Sequence, residues 1–543
     1  MTQDQEPTIK DNSTFSKVLG LFTRDASYNI LSFQGKGGFD FSKGWGTLCT
    51  KLIKCSTASV DEFQITHVPR ANLPEEFIPS KWEESDGVDI IEHCKKGEDQ
   101  VRGLILATHH DDKPHHLEFN KFFYELVLRD SRLHFSKVRA EYDPEMAAAY
   151  AFADFFADML KNTTKDDLWN QGGREYFAQR ATYFTQRNLR IEAVLPAFPC
   201  KSSNTEKVYE QAPDRGEELA LRRLIEVSRK VKEIYPPGLK VYIVSDGHVF
   251  SDCIGVDDDV VDTYTETLKT LYRAVAKSEN AEDEDLIGFA SLKDMFFNAD
   301  GSYTPGLAKD FTLQHFTGTK IDEDSENSRK FMMLACDTDC GSLKSDLQEE
   351  GHPRLKLYRG FWKFMSEDLK LNDHCRKLSR KQLKKTVSNV SFEMIKRNDA
   401  YSNLVELMFP FHMRLSIHGH KNDGPKFGIK LIGDHCKVIK NLGSDEAPDF
   451  EDKLHIPTPW HNCIVYIDGH EEFYMTKAGV VYNALSQGHY TGGWVEGNIL
   501  KGIGGYFQIS HSSCGSSLSV SPASEYSSLS PDRSSDSSAS SSA

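Results

Sequence analysis

The sequence has no apolar run near the roughly 20 residues that a membrane-spanning helix requires, so no such helix is expected. Its first residues, "MTQDQEPTIKDNSTF", lack both the basic and the apolar stretch of a secretory leader. An intracellular, cytoplasmic protein is expected. None of the eleven cysteines forms a CxxC pair, which leaves neither a zinc ribbon nor a disulfide framework to read from spacing. The closest pair, Cys336 and Cys340 in "CDTDC", has no second ligand pair beside it and does not read as a zinc site. Positive charge is also short: 65 Lys and Arg face 81 Asp and Glu, a formal net charge of −16. Such a surface repels nucleic acid and anionic membranes, so neither is an expected partner. Any anionic ligand must meet a local basic pocket, which a small molecule can do.

What is present is ordinary for a soluble globular protein, with 39% hydrophobic and 27% charged residues in a chain of 543. That length is ample for an enzyme. The last thirty or so residues are Ser-rich and nearly free of bulky apolar groups, so they cannot offset the entropy of ordering. The acidic stretches "SENAEDEDL" (278–286) and "IDEDSENS" (321–328) read as surface loops.

The middle of the chain reads as alternating strands and helices. "LRIEAVLPAF" (189–198) holds a short apolar run closed by Pro196. Asp214, with Glu217 three residues on, starts a helix through Leu221, Leu224, Ile225, Ser228 and Val231 that stops at Pro236-Pro237-Gly238. "KVYIVSDGH" then reads as a buried strand. A second helix follows, with Asp257 to Asp259 at its positive end and Val261, Tyr264, Leu268, Leu271 and Val275 along one side, before a candidate strand at "LIGFASL". These units predict an α/β fold with a Rossmann-like, mostly parallel sheet flanked by helices and additional α+β elements. Parallel strands joined by one crossover end on the same sheet edge, where open α/β folds bind ligands. The segments leaving those strands, "PCKSSN" and "SDGHVFSD", carry Lys201 with Ser202 and Ser203, suited to a phosphate or carboxylate, and Asp246 with His248, a candidate acid/base pair. Gly247 reads as the positive-φ residue of a turn between them.

"PFHMRLSIHGH" (410–420) alternates strictly: Phe411, Met413, Leu415 and Ile417 on one parity, His412, Arg414, Ser416, His418 and His420 on the other. Period-2 alternation is that of a half-buried strand. An Arg with three imidazoles suits the floor of a site better than a surface that need only be wet.

The blocks "LPAFPCKSSN", "DRGEELALRRL", "VSDGHVFSD", "YRGFWKFMSEDL" (358–369), "RLSIHGH" and "TPWHN" (458–462), in this order, resemble the family of bacterial isonitrile synthases and the fungal dityrosine-biosynthesis protein of spore walls. The resemblance covers roughly residues 140 to 510. It divides the chain into an arm (1–15), a variable N-terminal region (16–140), the catalytic domain (141–510) and the Ser-rich tail (511–543). It implies an enzyme that builds a one-carbon unit onto the α-amine of an amino acid, with ribulose 5-phosphate as carbon donor and co-substrate, and with no metal or organic cofactor. Tyrosine is the first expected substrate and an isonitrile the first expected product; tryptophan and valine are alternatives. N-formyltyrosine for spore-wall maturation is the alternative outcome, and a non-catalytic relative with a binding or scaffolding role a second. A separate cytochrome P450 or oxidase is expected to act on the product.

On this reading Asp246, His248, His418 and His461 supply acid/base groups, while Lys201, Ser202, Arg359, Arg414 and Lys430 hold the sugar phosphate and the carboxylate. Lys201 is also a candidate Schiff-base former, provided that its pKa is depressed. His418 and His420 with Asp246 or Asp423 compose a possible iron set, and "HHDDKPHH" (109–116) reads as a solvated turn.

Overall fold

A computed structural model of the chain describes residues 146–186, 188–296, 312–336, 340–409, 412–433, 436–443, 449–450 and 457–512, and four strands nearer the N-terminus. The expected arm, the 109–116 cluster, Phe411 and the tail beyond residue 512 lie outside the described residues. The four strands, β1 (Leu31–Ser32), β2 (Glu62–Pro69), β3 (Gly87–Cys94) and β4 (Arg102–Thr108), form an antiparallel sheet of order β1-β4-β3-β2.

The main sheet has five parallel strands, β5 (Ile191–Pro196), β6 (Leu239–Ser245), β7 (Ile287–Ser291), β8 (Met413–Ser416) and β9 (Phe427–Gly428), in the order β7-β6-β5-β8-β9. Every residue of β6 is buried, so both faces of the sheet are covered, as parallel sheets require. The helices are α1 (Ala147–Met159), α2 (Gly173–Thr185), α3 (Arg215–Ile234), α4 (Gly247–Ile254), α5 (Asp258–Ser278), α6 (Glu323–Cys336), α7 (Pro353–Asp368) and α8 (Arg380–Met408). The expected crossover is present. α3 starts at a capping box in which Asp214 accepts from backbone N–H groups and Glu217 reaches back to the Asp214 N–H, and it ends before Pro236.

One expectation changes. "IDEDSENS" is the entry and first turns of α6, its acids at the helix's positive end and Ser325, Ser328 and Arg329 buried. Cys336 closes α6 and Cys340 opens a separate short helix.

A second sheet follows, of order β11-β10-β13-β12-β15-β14 and mixed direction, from β10 (Cys436–Asn441), β11 (Asp449–Phe450), β12 (Cys463–Ile467), β13 (Phe473–Thr476), β14 (Tyr490–Val495) and β15 (Tyr506–His511). Its own core forms around Ile439, Val465, Ile467, Phe507 and Ile509 with α9 (Ala478–Ser486). β15 runs through His511, the first residue of the expected tail.

α4 is held by a buried charge network. Arg397 of α8 donates to both carboxylate oxygens of Asp252, at 2.5 and 3.0 Å, and to the Val249 carbonyl. Arg329 of α6 grips Asp258 in the same bidentate way and donates to the His248 carbonyl. Both guanidiniums are fully buried, and each finds fixed acceptors for the donors that burial strips of water. His315, hydrogen-bonded to Asp252 and Glu326, is pushed up to about 9 and stays charged at neutral pH. Arg397→Leu leaves Asp252 under-compensated in the interior and is expected to cost about 3–5 kcal/mol in urea denaturation at pH 7. A loss under about 1 kcal/mol would mean that Arg329 and His315 suffice.

Candidate active site

The strand order reverses between β5 and β8, which makes their carboxyl ends a topological switch point. Three segments leave the sheet there, after Pro196, Ser245 and Ser416, and the turn Pro459–His461 reaches in from the second sheet. The first two touch. A Cβ on Gly247 would lie 2.2 Å from the Pro199 carbonyl oxygen, so only glycine lets them meet. Gly247 has no positive φ, contrary to the expected turn; it is the first residue of α4. Phe198 does have one, 57°, an uncommon conformation for an aromatic residue. Its ring packs on Trp460 at 5.2 Å, and its carbonyl accepts from the Ser245 hydroxyl.

Lys201 is fully buried and its ammonium has three acceptors: Asp214 at 2.7 Å, Glu217 at 2.8 Å and the Pro459 carbonyl at 2.9 Å. Burial pulls its pKa down, but the two carboxylates outweigh burial and raise it. This corrects both expected roles. A lysine with its three donors committed and its charge reinforced neither grips a substrate anion nor acts as a Schiff-base amine. Ser202 is likewise internal: its hydroxyl accepts from the Asn204 N–H in a local turn, and its N–H donates to the Trp460 carbonyl.

Asp246 and His248 are not a pair. Because α4 begins between them, they project from different sides of a helix start. His248 is buried with its Nε2 3.1 Å from Asp262. Asp246 stays at the sheet edge, its Oδ1 buried and without a hydrogen-bond partner. Burial raises its carboxyl to about 6, with Arg414, two strands away on β8, pulling the other way. That value suits a group that takes and returns a proton near neutrality. Tyr401 of α8 donates to the Val244 carbonyl at 3.0 Å; burial and the nearby Asp246 charge raise its phenol.

The polar parity of 412–420 divides three ways. His412 belongs to the core, 3.2 Å from Glu192 and edge-on to Phe409 and Tyr242. Arg414 and His420 are half-buried, and His418 is exposed. Burial, with the positive charges of His418, Lys426 and Arg414, lowers His420 to about 4, so it is neutral at pH 7. His461 lies two residues before β12. Burial and then Lys477, Lys207, His418 and Lys201 depress its pKa far below the usual range, and its Nδ1 has no partner. His418 is among the neighbours that lower the pKa of both His420 and His461, which links the β8 edge to the turn from the second sheet.

Arg359 lies elsewhere, on the outer surface of α7 in an exposed pair with Glu350. Lys430 follows β9 and, like His418, has an exposed side chain. From the same α7 block, Phe364 and Asp368 face the site instead. Phe364 packs edge-on to His461 at 5.0 Å and lies 3.8 Å from the Lys207 ammonium, which pairs with Asp368 at 2.6 Å. The reason is helical: residues 364 and 368 share the inner face, and 359 falls outside it. Lys207, Lys477, Tyr401 and Asp368 had no spacing signal of their own, since tertiary packing alone brings them together.

Among the described residues, one group could converge on a metal, His248 with Asp258 and Asp322, and Arg329 and Lys293 already neutralise those acids. The ligand atoms of His418, His420 and Asp246 or Asp423 do not converge in this way.

Residues 181–488 match the family described as pyoverdine/dityrosine biosynthesis protein. The chain belongs to this family. It is 46% identical over 506 residues to the spore wall maturation protein DIT1 of Saccharomyces cerevisiae, covering 92% of each chain. It is 29% identical to the L-tryptophan isonitrile synthase AmbI2 of Fischerella ambigua, covering 55% of this chain and 75% of that one, and 29% identical to an L-tyrosine isonitrile synthase of Xenorhabdus nematophila, covering 56% and 76%. The crystal structure of PvcA from Pseudomonas aeruginosa superposes with a TM-score of 0.50 at 24% identity, covering 66% of this chain and 99% of that one. The family and the α/β fold are those that the sequence blocks predicted. The likeness to DIT1 reaches beyond residues 140–510, into the N-terminal region that carried no such signal.

Asp246 sets a pH dependence of stability. Its pKa is raised on folding, from 3.8 to about 6, so the folded state holds the proton more tightly. Stability from this group is therefore full below pH 4 and is lost as pH rises through 6, a cost on the order of 3 kcal/mol at most. Asp246→Asn is expected to raise stability at pH 7.5 by about 1–3 kcal/mol in urea titrations, with the advantage shrinking as pH falls to 4. A pH-independent difference would place the carboxyl in contact with water or a counter-charge. By contrast Arg359→Ala, which breaks one exposed ion pair, should shift stability by no more than about 1 kcal/mol.

Proposed function

We propose that this protein is an enzyme that joins the α-amine of tyrosine to a carbon drawn from ribulose 5-phosphate, and that it serves dityrosine spore-wall maturation with N-formyltyrosine as product. The observation that carries the reading is the convergence at the switch point of a carboxyl poised near 6, an arginine on the neighbouring sheet edge and neutral imidazoles. Condensing an amine with a ketone needs an acceptor for the ammonium proton and a donor for the departing hydroxyl, and these groups can exchange protons at neutral pH. Arg414 suits the carboxylate or the phosphate. The similarity to DIT1 across 92% of both chains supports the spore-wall branch over the isonitrile branch, where identity is near 29% over about half of the chain.

The isonitrile product is the second reading, favoured by the names of those relatives. Both products would share the first imine and differ only in later fragmentation. In either case a separate oxidase or cytochrome P450 would act next, and the protein would work in the cytoplasm on small molecules. No helix among the described residues is long and apolar enough to cross a membrane.

Purified protein incubated at neutral pH with ribulose 5-phosphate and tyrosine, tryptophan or valine, with a tetrazine trap and mass detection, tests this directly. Acid is avoided because it hydrates isonitriles to formamides. N-formyltyrosine is the expected product; a trapped isonitrile would move the protein to the other branch, and no product from any of the three would remove the reading. Arg414→Ala and His418→Ala are expected to lose at least about 10²-fold in turnover while keeping the fold. Wild-type turnover in either would take that residue out of the site.

A further inference from the structure

Three lysines are gathered where the second sheet meets the switch point, and they differ in their partners. Lys201 has Asp214 and Glu217, and Lys207 has Asp368. Lys477 has no carboxylate within 4.0 Å among the described residues; its Nζ donates to the His461 carbonyl at 2.6 Å. It is half-buried at the N-cap of α9, where the positive end of the helix dipole disfavours a cation. The backbone places Lys207 beside it, since the Ala478 N–H donates to the Lys207 carbonyl and the Gly479 N–H to that of Glu206. Lys477 is thus an amine that is desolvated, next to another cation and unpaired with an acid, an arrangement that turns lysine into a nucleophile. Burial first and Lys207 second lower its pKa to about 8, against the opposing pull of Asp368, Cys463 and Glu367. The unpartnered Nδ1 of neutral His461 is buried on the neighbouring turn.

We propose that Lys477 is a covalent amine, which captures the ketone carbon of a ketose phosphate before that carbon passes to the amino-acid substrate. The proposal rests on the condensation reading above and moves the covalent lysine from Lys201 to Lys477. The neutral amine adds its lone pair to the ketone carbon, and the carbonyl oxygen takes a proton to give a carbinolamine. Loss of that hydroxyl as water, with one proton from a nearby acid, leaves an iminium. The substrate α-amine then adds to the same carbon and expels the Lys477 amine, so the net result is the imine of direct condensation, with no oxidant or reductant consumed. An iminium is attacked more readily than a ketone, which is the advantage of the detour.

Borohydride added to the full-length protein with ribulose 5-phosphate alone should reduce the iminium to a secondary amine. Peptide mass mapping should then find the ketose phosphate less one oxygen atom on the peptide carrying Lys477. Lys477→Arg keeps a cation there and should abolish the adduct and lower turnover by at least about 10²-fold, with an unchanged melting temperature as the folding control. An adduct at Lys477 in a protein that yields no amino-acid product would keep the amine and remove the condensation reading. Product formation with no adduct at Lys477, an adduct only on another lysine, or wild-type turnover in Lys477→Arg would overturn the proposal while leaving that reading intact.

Discussion

The Lys201 ammonium is the interaction on which the site depends. It joins the segment after β5, the capping box of α3 and the turn that carries His461, using every N–H it has. Removing a lysine from water costs several kcal/mol, and only fixed carboxylates at such distances offset that cost. The same helix start is fastened again from the second sheet, where Arg215 donates its N–H to Gly505 and the Gly504 N–H donates to Glu218. The position of His461 relative to β8 is therefore a consequence of buried charge rather than of loop length. This also explains why Lys201, the most chemically suggestive lysine in the sequence, has no donor left for a substrate.

A second charge network sets the other half of the site. Arg397 holds α4 through Asp252 and the Val249 carbonyl, Arg329 ties the His248 carbonyl to Asp258 at the start of α5, and Asp246 is the residue immediately before α4. The carboxyl with an unsatisfied oxygen is thus mounted on a helix whose own acid, Asp252, is gripped on both oxygens. An acid raised to about 6 is a local cost to the fold, and a rigid support is what lets the fold bear it.

Much of the sheet was legible because its determinants are local. The capping box at Asp214, the stop at Pro236 and the compact apolar runs of β5 and β6 each act over a few residues. The site was legible only in part. Alternation marked 412–420 as unusual, but His412, Arg414 and His418 have identical parity and three different environments, set by Glu192, by Asp246 and by solvent. Asp246 and His248 looked like partners because sequence distance is short, and one helix start between them separates them. Arg359 stood in a recognisable block whose inward residues were Phe364 and Asp368. Lys477 had no sequence signal, because what marks it is the lack of a nearby acid, and that is a property of the packed neighbourhood.

Three lysines show how one fold gives the same side chain different surroundings. The amine is identical in each, and the carboxylates around it differ: two within 3 Å of Lys201, one at 2.6 Å and a second at 3.9 Å from Lys207, and, among the described residues, none within 4.0 Å of Lys477. Each carboxylate favours the ammonium, while burial and like-charged neighbours oppose it. The gradient runs from the α3 capping box toward α9, and the end without acids adjoins His461, a neutral imidazole. Neutral bases at one end of a charged seam, and a carboxyl poised near 6 at Asp246 after β6, give the site an internal polarity. A reaction that must both deprotonate an amine and protonate a departing hydroxyl needs that polarity, because bases and acids of matched pKa in contact would neutralise one another.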